Sequence, residues 1–352
     1  MHSMKYQLHF LLLTSLFMLG LVAYLLVGYE AEKAFPTWYV NGVFVGRQPA
    51  PLPAFNPVFL DGAASSSQFT VAYFGDQGLG EHSRAVLSLI KSENVQLAVH
   101  LGDLEYHDDP TAWNNQIDAI LGTDFPYIAV IGNHDELKWP EYQQKIKERL
   151  ARTGSTVKCD GNIGTESTCH IGNLDIVMSA PGITDFSPTE QLEYTEHQLA
   201  LGHDEGAAWE TCAWHKDHSS MQVGSKTDEV SIDMYEACRK AGAVIAAAHE
   251  HSYSRSYLLS NFKTPTIVST SSVLNIAPGK SFVFVSGLGG ESIRSQVLKN
   301  KWWASVYTST QHATYGAMFC TYNVGGDPTL AACRFKNIKG QIVDSFQIRR
   351  SN

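Results

Sequence analysis

The chain has 352 residues, of which 44% are hydrophobic and 17% are charged, and its formal net charge is −9 at pH 7. This composition is typical of a globular protein and argues against disorder as the main state. Proteins that bind nucleic acids or anionic membrane surfaces need a basic surface. Because this chain is acidic, neither is expected as the main partner. A small phosphorylated substrate stays compatible with the acidic chain if metal ions supply local positive charge.

The N-terminal segment, residues 1–28, is expected to direct the protein into the secretory pathway. Lys5 precedes a nearly unbroken apolar stretch of 19 residues, residues 10–28. This length exceeds the core of most signal peptides and just reaches that of a membrane-spanning helix, so a cleaved signal peptide and an uncleaved anchor both stay open. The following domain is expected in an extracellular, vacuolar or periplasmic space, or anchored facing outward through this segment alone.

Residues 29–68 are expected to form a linker or an arm on the domain surface, because they contain five prolines and end in an Ala/Ser run. The six cysteines of the chain suit an oxidising compartment. One pair, Cys159–Cys169, brackets a polar loop, and a second, Cys320–Cys333, lies on two apolar runs of a predicted hairpin. For Cys212 and Cys238, a disulfide and two buried free thiols are equally compatible with the sequence.

From residue 69 onward the sequence alternates between apolar runs and amphipathic stretches, which predicts an α/β domain over residues 69–350. The first three apolar runs end beside a glycine and a polar donor, at Asp76, Asp103 and Asn133. Because right-handed crossovers align parallel strands, these three loops are expected at one edge of a sheet. Later segments predict helices at 141–152, 190–201 and 228–239, and strands at 174–178, 211–215, 243–249, 265–269, 281–286, 315–322, 330–336 and 341–348.

Two of the later apolar runs end in histidine, at His215 and in the His-x-His sequence of His249 and His251. A pair of neighbouring metal ions needs hard oxygen donors, mixed nitrogen and oxygen donors, and at least one shared carboxylate. The strand ends supply that set of side chains. The sequence therefore predicts a metal centre made of Asp76, Asp103, Asn133, His215, His249 and His251.

The order of these blocks, Gly-Asp-x-Gly, Gly-Asp-x-x-Tyr, Gly-Asn-His-Asp, a strand-ending His and His-x-His, resembles the calcineurin-like metallophosphoesterases. The details are most similar to the purple acid phosphatase branch, because Gly78 replaces a histidine ligand of many relatives and Tyr106 stands where that branch has its metal-bound tyrosine. The resemblance covers roughly residues 69–320. It implies a four-layer α/β/β/α sandwich of two mixed β-sheets flanked by helices.

The resemblance also implies the metals and their ligands. Fe(III) would be accompanied by a second divalent metal, which would be Fe, Zn or Mn, and Asp103 would bridge the two. The implied Fe(III) ligands are Asp76, Asp103, Tyr106 and His251, and the implied ligands of the second metal are Asp103, Asn133, His215 and His249.

The implied activity is hydrolysis of phosphate monoesters, of the acid phosphatase type, by attack of a metal-bound hydroxide on phosphorus. In the family His134 is expected beside the leaving oxygen as general acid or hydrogen-bond donor, and Asp135 is a candidate for orienting it. His218 is either a residue that contacts substrate or an exposed loop histidine.

Two other functions stay open at this stage: a phosphodiesterase or nucleotide-hydrolysing relative, and a metal-binding domain that has lost turnover. The family usually has glycine at the position of Ala248, which would strain the loop if the backbone needs a positive φ there. We expect Glu105, Asp217 and Glu250 to be solvated loop charges and His100 to be a core histidine.

Overall fold

The computed structural model describes residues 39–40, 43–44, 67–154 and 156–351. The expected signal peptide or anchor, residues 1–28, and most of the expected linker, residues 29–68, lie outside these residues. Within that linker, strands β1 (Tyr39–Val40) and β2 (Val43–Phe44) form a short antiparallel pair. No helix in the described part of the chain is long and apolar enough to span a bilayer.

The first large sheet has seven strands and combines parallel and antiparallel pairs. Its parallel half is β3, β4 and β5, and β3 pairs antiparallel with β17, so the C-terminal hairpins extend the sheet from the side of β3. Across the sheet the order is β14 (Val273–Ile276), β19 (Ile342–Arg350), β18 (Leu330–Asn337), β17 (Gly316–Tyr322), β3 (Phe69–Phe74), β4 (Leu97–His100) and β5 (Tyr127–Ala129).

The second large sheet has eight strands, with a parallel centre and antiparallel flanks. Its order is β16 (Trp303–Tyr307), β11 (Tyr253–Ser256), β15 (Val283–Ser286), β10 (Val244–Ala247), β9 (Trp209–Ala213), β8 (Leu174–Ser179), β7 (Glu166–Ile171) and β6 (Lys158–Asn162). A small antiparallel pair, β12 (Leu258–Leu259) and β13 (Ile267–Ser269), lies apart from both sheets.

Five α-helices are described, and three of them begin at a side chain that caps the N-terminus, namely Asp109, Ser187 and Ser231. The five helices are α1 (Glu81–Ser92), α2 (Pro110–Ile120), α3 (Trp139–Arg152), α4 (Pro188–Glu205) and α5 (Ile232–Ala241). The predicted start of α5 at residue 228 was too early, because the Ser231 side chain accepts a hydrogen bond from the Asp233 N–H (3.2 Å) and caps the helix there.

Three apolar layers hold the sheets and helices together. Side chains of β3 and β8, such as Tyr73 and Met178, pack between the two sheets. Helices α1 to α3 cover the outer face of the seven-stranded sheet, with Trp113 fully buried, and α4 and α5 cover the eight-stranded sheet, with Tyr235 fully buried. Each such side chain contributes about 1.5–3 kcal/mol of burial free energy. The expected four-layer α/β/β/α sandwich is confirmed.

All six cysteines form disulfides. The Cys320–Cys333 bond crosses between β17 and β18, as the hairpin predicted, and the Cys159–Cys169 bond crosses between β6 and β7, so the polar loop is the turn of a second hairpin. The Cys212–Cys238 bond links β9 to α5 and decides the pairing that the sequence left open.

Glu210 on β9 is a buried carboxyl group, 4% exposed, whose Oε1 atom has no hydrogen-bond partner. The Arg350 guanidinium lies 3.6 Å from its Oε2 atom. Burial raises the pKa of Glu210 from its ordinary value of 4.5 to about 7, against the lowering effect of Arg350. The fold therefore binds this proton more tightly than the unfolded chain does.

We expect the contribution of Glu210 to the free energy of unfolding to be fully present below about pH 4.5 and lost as the pH rises through about 7. Glu210→Gln removes this titration, so its unfolding free energy should fall less over that window, by on the order of 1–3 kcal/mol. Urea unfolding followed by circular dichroism measures the difference. Glu196→Gln, at an exposed position of α4, is the control, and equal pH slopes for Glu210→Gln and the parent protein would contradict the assignment.

Candidate metal centre

The site lies where strand ends of the two sheets meet. Strands β3, β4 and β5 are followed by the loops of Asp76, Asp103 and Asn133, and β9 and β10 are followed by His215 and the His-x-His loop. Hydrogen bonds join the two sheets at this place, since Leu101 O accepts from His215 Nδ1 (2.8 Å). The sandwich therefore gathers residues that are far apart in sequence.

One part of the site consists of Asp103, His215 and His249. The His215 Nε2 atom lies 3.2 Å from Asp103 Oδ2 and 3.1 Å from His249 Nδ1. One ligand atom from each residue falls within 4.8 Å of the other two, an arrangement that could hold a metal ion. These are three of the four ligands expected for the second metal.

The other part of the site is centred on the Tyr106 hydroxyl group. It lies 3.2 Å from Asp76 Oδ1, 3.4 Å from His251 Nε2 and 3.4 Å from Asp103 Oδ2. The His251 Nε2 atom is in turn 3.3 Å from Asp76 Oδ1. Because Asp103 Oδ2 belongs to both parts, the two sets of donors share one carboxylate, as the expected bridge requires.

Two further acceptor atoms support a cation site. Asp76 Oδ2 and Asn133 Oδ1 are buried and have no hydrogen-bond partner. A buried oxygen without a partner is costly, and a metal ion would satisfy it. Asn133 lies between Gly132 and His134, and the His134 N–H donates to Asp103 Oδ1 (2.9 Å), so its loop is held against the bridging carboxylate.

Each site histidine has a hydrogen-bond partner on the nitrogen that faces away from the centre. His215 donates from Nδ1 to Leu101 O, His249 donates from Nε2 to Glu229 Oε2 (2.8 Å), and His251 Nδ1 lies 2.8 Å from the Ser292 hydroxyl. When the imidazoles of His215 and His249 are neutral, these bonds place the proton on the outer nitrogen, and the inner nitrogen keeps its lone pair. Lone pairs and carboxylates that converge in this way suit a cation.

The pKa values of the side chains at the site reflect an excess of negative charge there. Burial alone would lower the pKa of His215, but the Asp103 carboxylate next to it raises that pKa to about 9. Burial, together with Asp76 and Asp103, raises the pKa of the Tyr106 hydroxyl far above its usual range. A Tyr106 phenolate thus requires a strongly charged cation beside it.

Three of the candidate ligands have strained backbone conformations. Asp76, Asp103 and His249 have positive φ angles of 57°, 55° and 61°, a region that is costly for residues other than glycine. Ala248 is not among the residues with positive φ, so its replacement of the family glycine causes no strain of that kind. At Gly132 the backbone approaches so closely that an added Cβ would lie 2.1 Å from Asp103 N.

The three candidate catalytic residues occupy different environments. His134 is exposed, and its ring centroid lies 4.6 Å from that of Tyr106. The buried Asp135 carboxylate accepts hydrogen bonds from the N–H groups of Gly132 (2.7 Å), Asp103 (3.0 Å) and Leu104 (2.9 Å). These bonds fix the backbone of the two loops and not the His134 ring.

His218 lines a cavity together with Glu229, the partner of His249. Its Nδ1 atom is 2.8 Å from the Ser220 hydroxyl and its Nε2 atom is 3.4 Å from Asp228 Oδ1. This cavity has a volume of about 420 Å³. The structure thus places His218 in a groove next to the metal ligands.

The expectation that Glu105, Asp217 and Glu250 are solvated was wrong, because all three are 0–1% exposed. Glu105 turns inward and accepts from the N–H groups of His107 and Asp109 (2.5 Å each), which closes the loop after Tyr106. Burial raises the pKa of Asp217, and Glu250 adds to that effect. His100 is buried as expected, but neither of its ring nitrogens has a partner.

Sequence reasoning missed three residues around the His-x-His loop: Glu229, Arg294 and Lys226. Arg294 donates to His249 O (3.2 Å) and lies 3.4 Å from Glu250 Oε2. Lys226 Nζ lies 3.5 Å from His249 Nδ1. No local pattern marks these positions, since each contact depends on how distant loops fold together.

A family model of calcineurin-like phosphoesterases matches residues 72–253, which is more than half of the chain. The chain belongs to the calcineurin-like phosphoesterase family. The match spans the loops of Asp76, Asp103 and Asn133 as well as all three histidine donors. Members of this family are metal-dependent phosphoesterases with a dimetal centre, and the donor set described above fits such a centre.

Solved structures support the same fold. A purple acid phosphatase from yellow lupin (Lupinus luteus) seeds has a TM-score of 0.62 at 18% identity, over 81% of this chain and 54% of the lupin chain. GAP50, the anchor in the inner membrane complex of Plasmodium, has a TM-score of 0.56 at 12% identity, over 81% and 90% of the two chains.

A third structure, PhoD, has a TM-score of 0.52 at 14% identity, over 81% of this chain and 70% of the PhoD chain. The chain spans about half the length of the lupin protein. At these identities the likeness shows the fold alone. A search of curated proteins found no significant match.

Glu229→Gln tests whether the bond to His249 positions a metal ligand in this phosphoesterase. Loss of the carboxylate weakens the bond that fixes the His249 ring, so we expect metal affinity to fall about 10–100-fold. Competition titration against a chelator measures it. Asp228→Asn, at the exposed neighbouring position, is the matched control, and unchanged affinity in Glu229→Gln would show that the contact has no such role.

Proposed function

We propose that this calcineurin-like phosphoesterase hydrolyses phosphate monoesters as an acid phosphatase with two metals, Fe(III) and a divalent Fe, Zn or Mn ion. The observation that carries the proposal is the Tyr106 hydroxyl, which lies within 3.4 Å of Asp76, Asp103 and His251. A phenolate is a hard oxygen donor that suits Fe(III). The substrate is then a small phosphorylated molecule.

The residues divide into two ligand groups in this proposal. The bound cations would supply positive charge for the phosphoryl oxygens and activate a water molecule for attack. The first group, around Fe(III), is Asp76, Asp103, Tyr106 and His251, and the second is Asp103, Asn133, His215 and His249.

Around the ligands, three residues act on substrate or on the loops. The exposed His134 imidazole, next to the Tyr106 ring, donates a proton or a hydrogen bond to the leaving oxygen. Asp135 holds the loops of Asp103 and Gly132 by accepting their N–H groups, and so positions His134 through the backbone. His218 borders the groove in which the leaving group lies.

The compartment belongs to the same proposal. Three disulfides close within the catalytic domain, which supports folding in an oxidising space after entry into the secretory pathway. The proposed location is extracellular, vacuolar or periplasmic, or at a membrane with this domain facing outward.

The direct test compares hydrolysis of an aryl phosphate monoester and an aryl phosphate diester by the purified, metal-loaded protein. We expect faster turnover of the monoester, and loss of turnover after chelation that returns with added metal. Preferential cleavage of the diester would favour a phosphodiesterase. Full metal content without turnover of either ester would show that the site has lost catalysis.

His134→Ala should lower kcat by about 10²–10⁴-fold, because the leaving oxygen loses its proton donor. Metal content should be unchanged, since the His134 side chain is not a ligand. His197→Ala, at an exposed position of α4, is the control. A parent-like rate in His134→Ala would remove this residue from the mechanism.

Tyr106→Phe should abolish the visible absorption that a tyrosinate gives when it binds Fe(III), while the far-ultraviolet circular dichroism stays as in the parent protein. Tyr315→Phe, which changes a tyrosine that stacks on His82 with centroids 4.2 Å apart, should keep the absorption. An iron-loaded Tyr106→Phe protein that stays coloured would contradict the assignment of this ligand.

A further inference from the structure

Lys226 extends into the metal centre from the loop between β9 and α5. Its Nζ atom lies 3.5 Å from His249 Nδ1, which is the nitrogen directed toward Asp103 and His215. A lysine ammonium therefore borders the group of atoms that is expected to bind a cation. The placement calls for a physical explanation, because two positive charges in contact repel each other.

Lys226 lacks the carboxylate partner that its neighbours have, and it contacts instead the lone pair of His249 Nδ1, which a bound metal ion would occupy. Lys216 Nζ lies 3.1 Å from Glu229 Oε1, and Arg294 lies 3.4 Å from Glu250. Among the described residues, no carboxylate oxygen lies within 4.0 Å of Lys226 Nζ. Its side chain is only partly exposed, so water does not fully compensate for the missing partner.

The carboxylate of Glu229 and the guanidinium of Arg294, which act on the Lys226 ammonium, are already engaged by other groups. Glu229 binds His249 and Lys216, and Arg294 binds the His249 carbonyl. Metal ions next to this group would increase the positive charge.

The loop holds Lys226 in place. The buried Gln222 side chain donates to the Lys226 carbonyl (3.2 Å) and to Ser219 O (2.9 Å). The Val223 carbonyl accepts from Val297 N (2.8 Å) and Leu298 N (2.9 Å), which ties the loop to the segment that carries Arg294. The approach of Lys226 to the centre is therefore built into the backbone.

We propose that Lys226, supported by the charge of Arg294, forms an anion subsite that binds a phosphoryl oxygen of the substrate at the His249 side of the metal centre. A dianionic monoester gains more from this extra positive charge than a monoanionic diester does. The subsite makes the centre selective for the phosphate dianion, and it rests on the proposed function for its substrate.

Binding of inorganic phosphate to the metal-loaded protein tests the subsite without turnover. In Lys226→Gln, isothermal titration should show a phosphate Kd about 10–100-fold higher than in the parent protein, because one charged hydrogen bond is lost. Lys226→Arg keeps the charge and should recover most of the affinity. Lys240→Gln, which removes an exposed lysine charge on α5, should bind phosphate as the parent protein does.

The same variants are then compared with ester substrates. Lys226→Gln should raise KM for the aryl phosphate monoester by a similar factor and should change KM for the diester by less. Metal content, measured on the same samples, should stay at the parent level. Circular dichroism and thermal unfolding check that each variant is folded, and Lys226→Met, which also removes the charge, replaces Lys226→Gln if that variant is not folded.

The outcomes separate this inference from the proposed function. A parent protein that binds phosphate through Lys226 but hydrolyses no monoester would refute the phosphatase and keep the subsite. A parent-like phosphate Kd in Lys226→Gln would overturn the subsite and leave the phosphatase standing. Tighter metal binding in Lys226→Gln with unchanged phosphate affinity would also overturn it, since the lysine would then only replace a cation in the metal-free protein.

Discussion

The contacts of one carboxylate, that of Asp103, connect every part of the site. Its Oδ2 atom lies near His215, which follows a strand of the eight-stranded sheet, and near Tyr106 of its own loop. Its Oδ1 atom accepts a hydrogen bond from the His134 N–H. Its own N–H is donated to Asp135. The left-handed backbone at Asp103 is held against its steric preference by these bonds. The geometry of the centre therefore depends on both sheets of the sandwich and on Gly132, which lets the loops after β4 and β5 approach each other.

The candidate metal donors could be located in the sequence because each lies where an apolar run stops. A buried strand, a glycine and a donor form a local pattern, and parallel pairing aligns such patterns at one edge. The same reasoning failed for strands such as β11 (Tyr253–Ser256) and β16 (Trp303–Tyr307), whose short runs mix serine and aromatic residues. It failed also for the inward-facing carboxylates Glu105 and Asp217, since charge alone does not reveal whether a loop folds back on a site.

The two groups of candidate donors, around His249 and around His251, have surroundings that differ in charge. The outer nitrogen of His251 has a neutral partner, the hydroxyl of Ser292. Near His249 the supporting groups are ionic and include Glu229, Lys216 and Lys226. The contacts of Glu229 and Lys226 with His249 join residues separated by 20 and 23 positions, which is why the sequence pattern did not reveal them.

The disulfide between Cys212 and Cys238 encloses a covalent ring with a sequence separation of 26 residues. His215, His218, Lys226 and Glu229 all lie inside that ring. Closing it reduces the conformational freedom of this segment in the unfolded chain. The segment therefore loses less entropy on folding when these four side chains take their places.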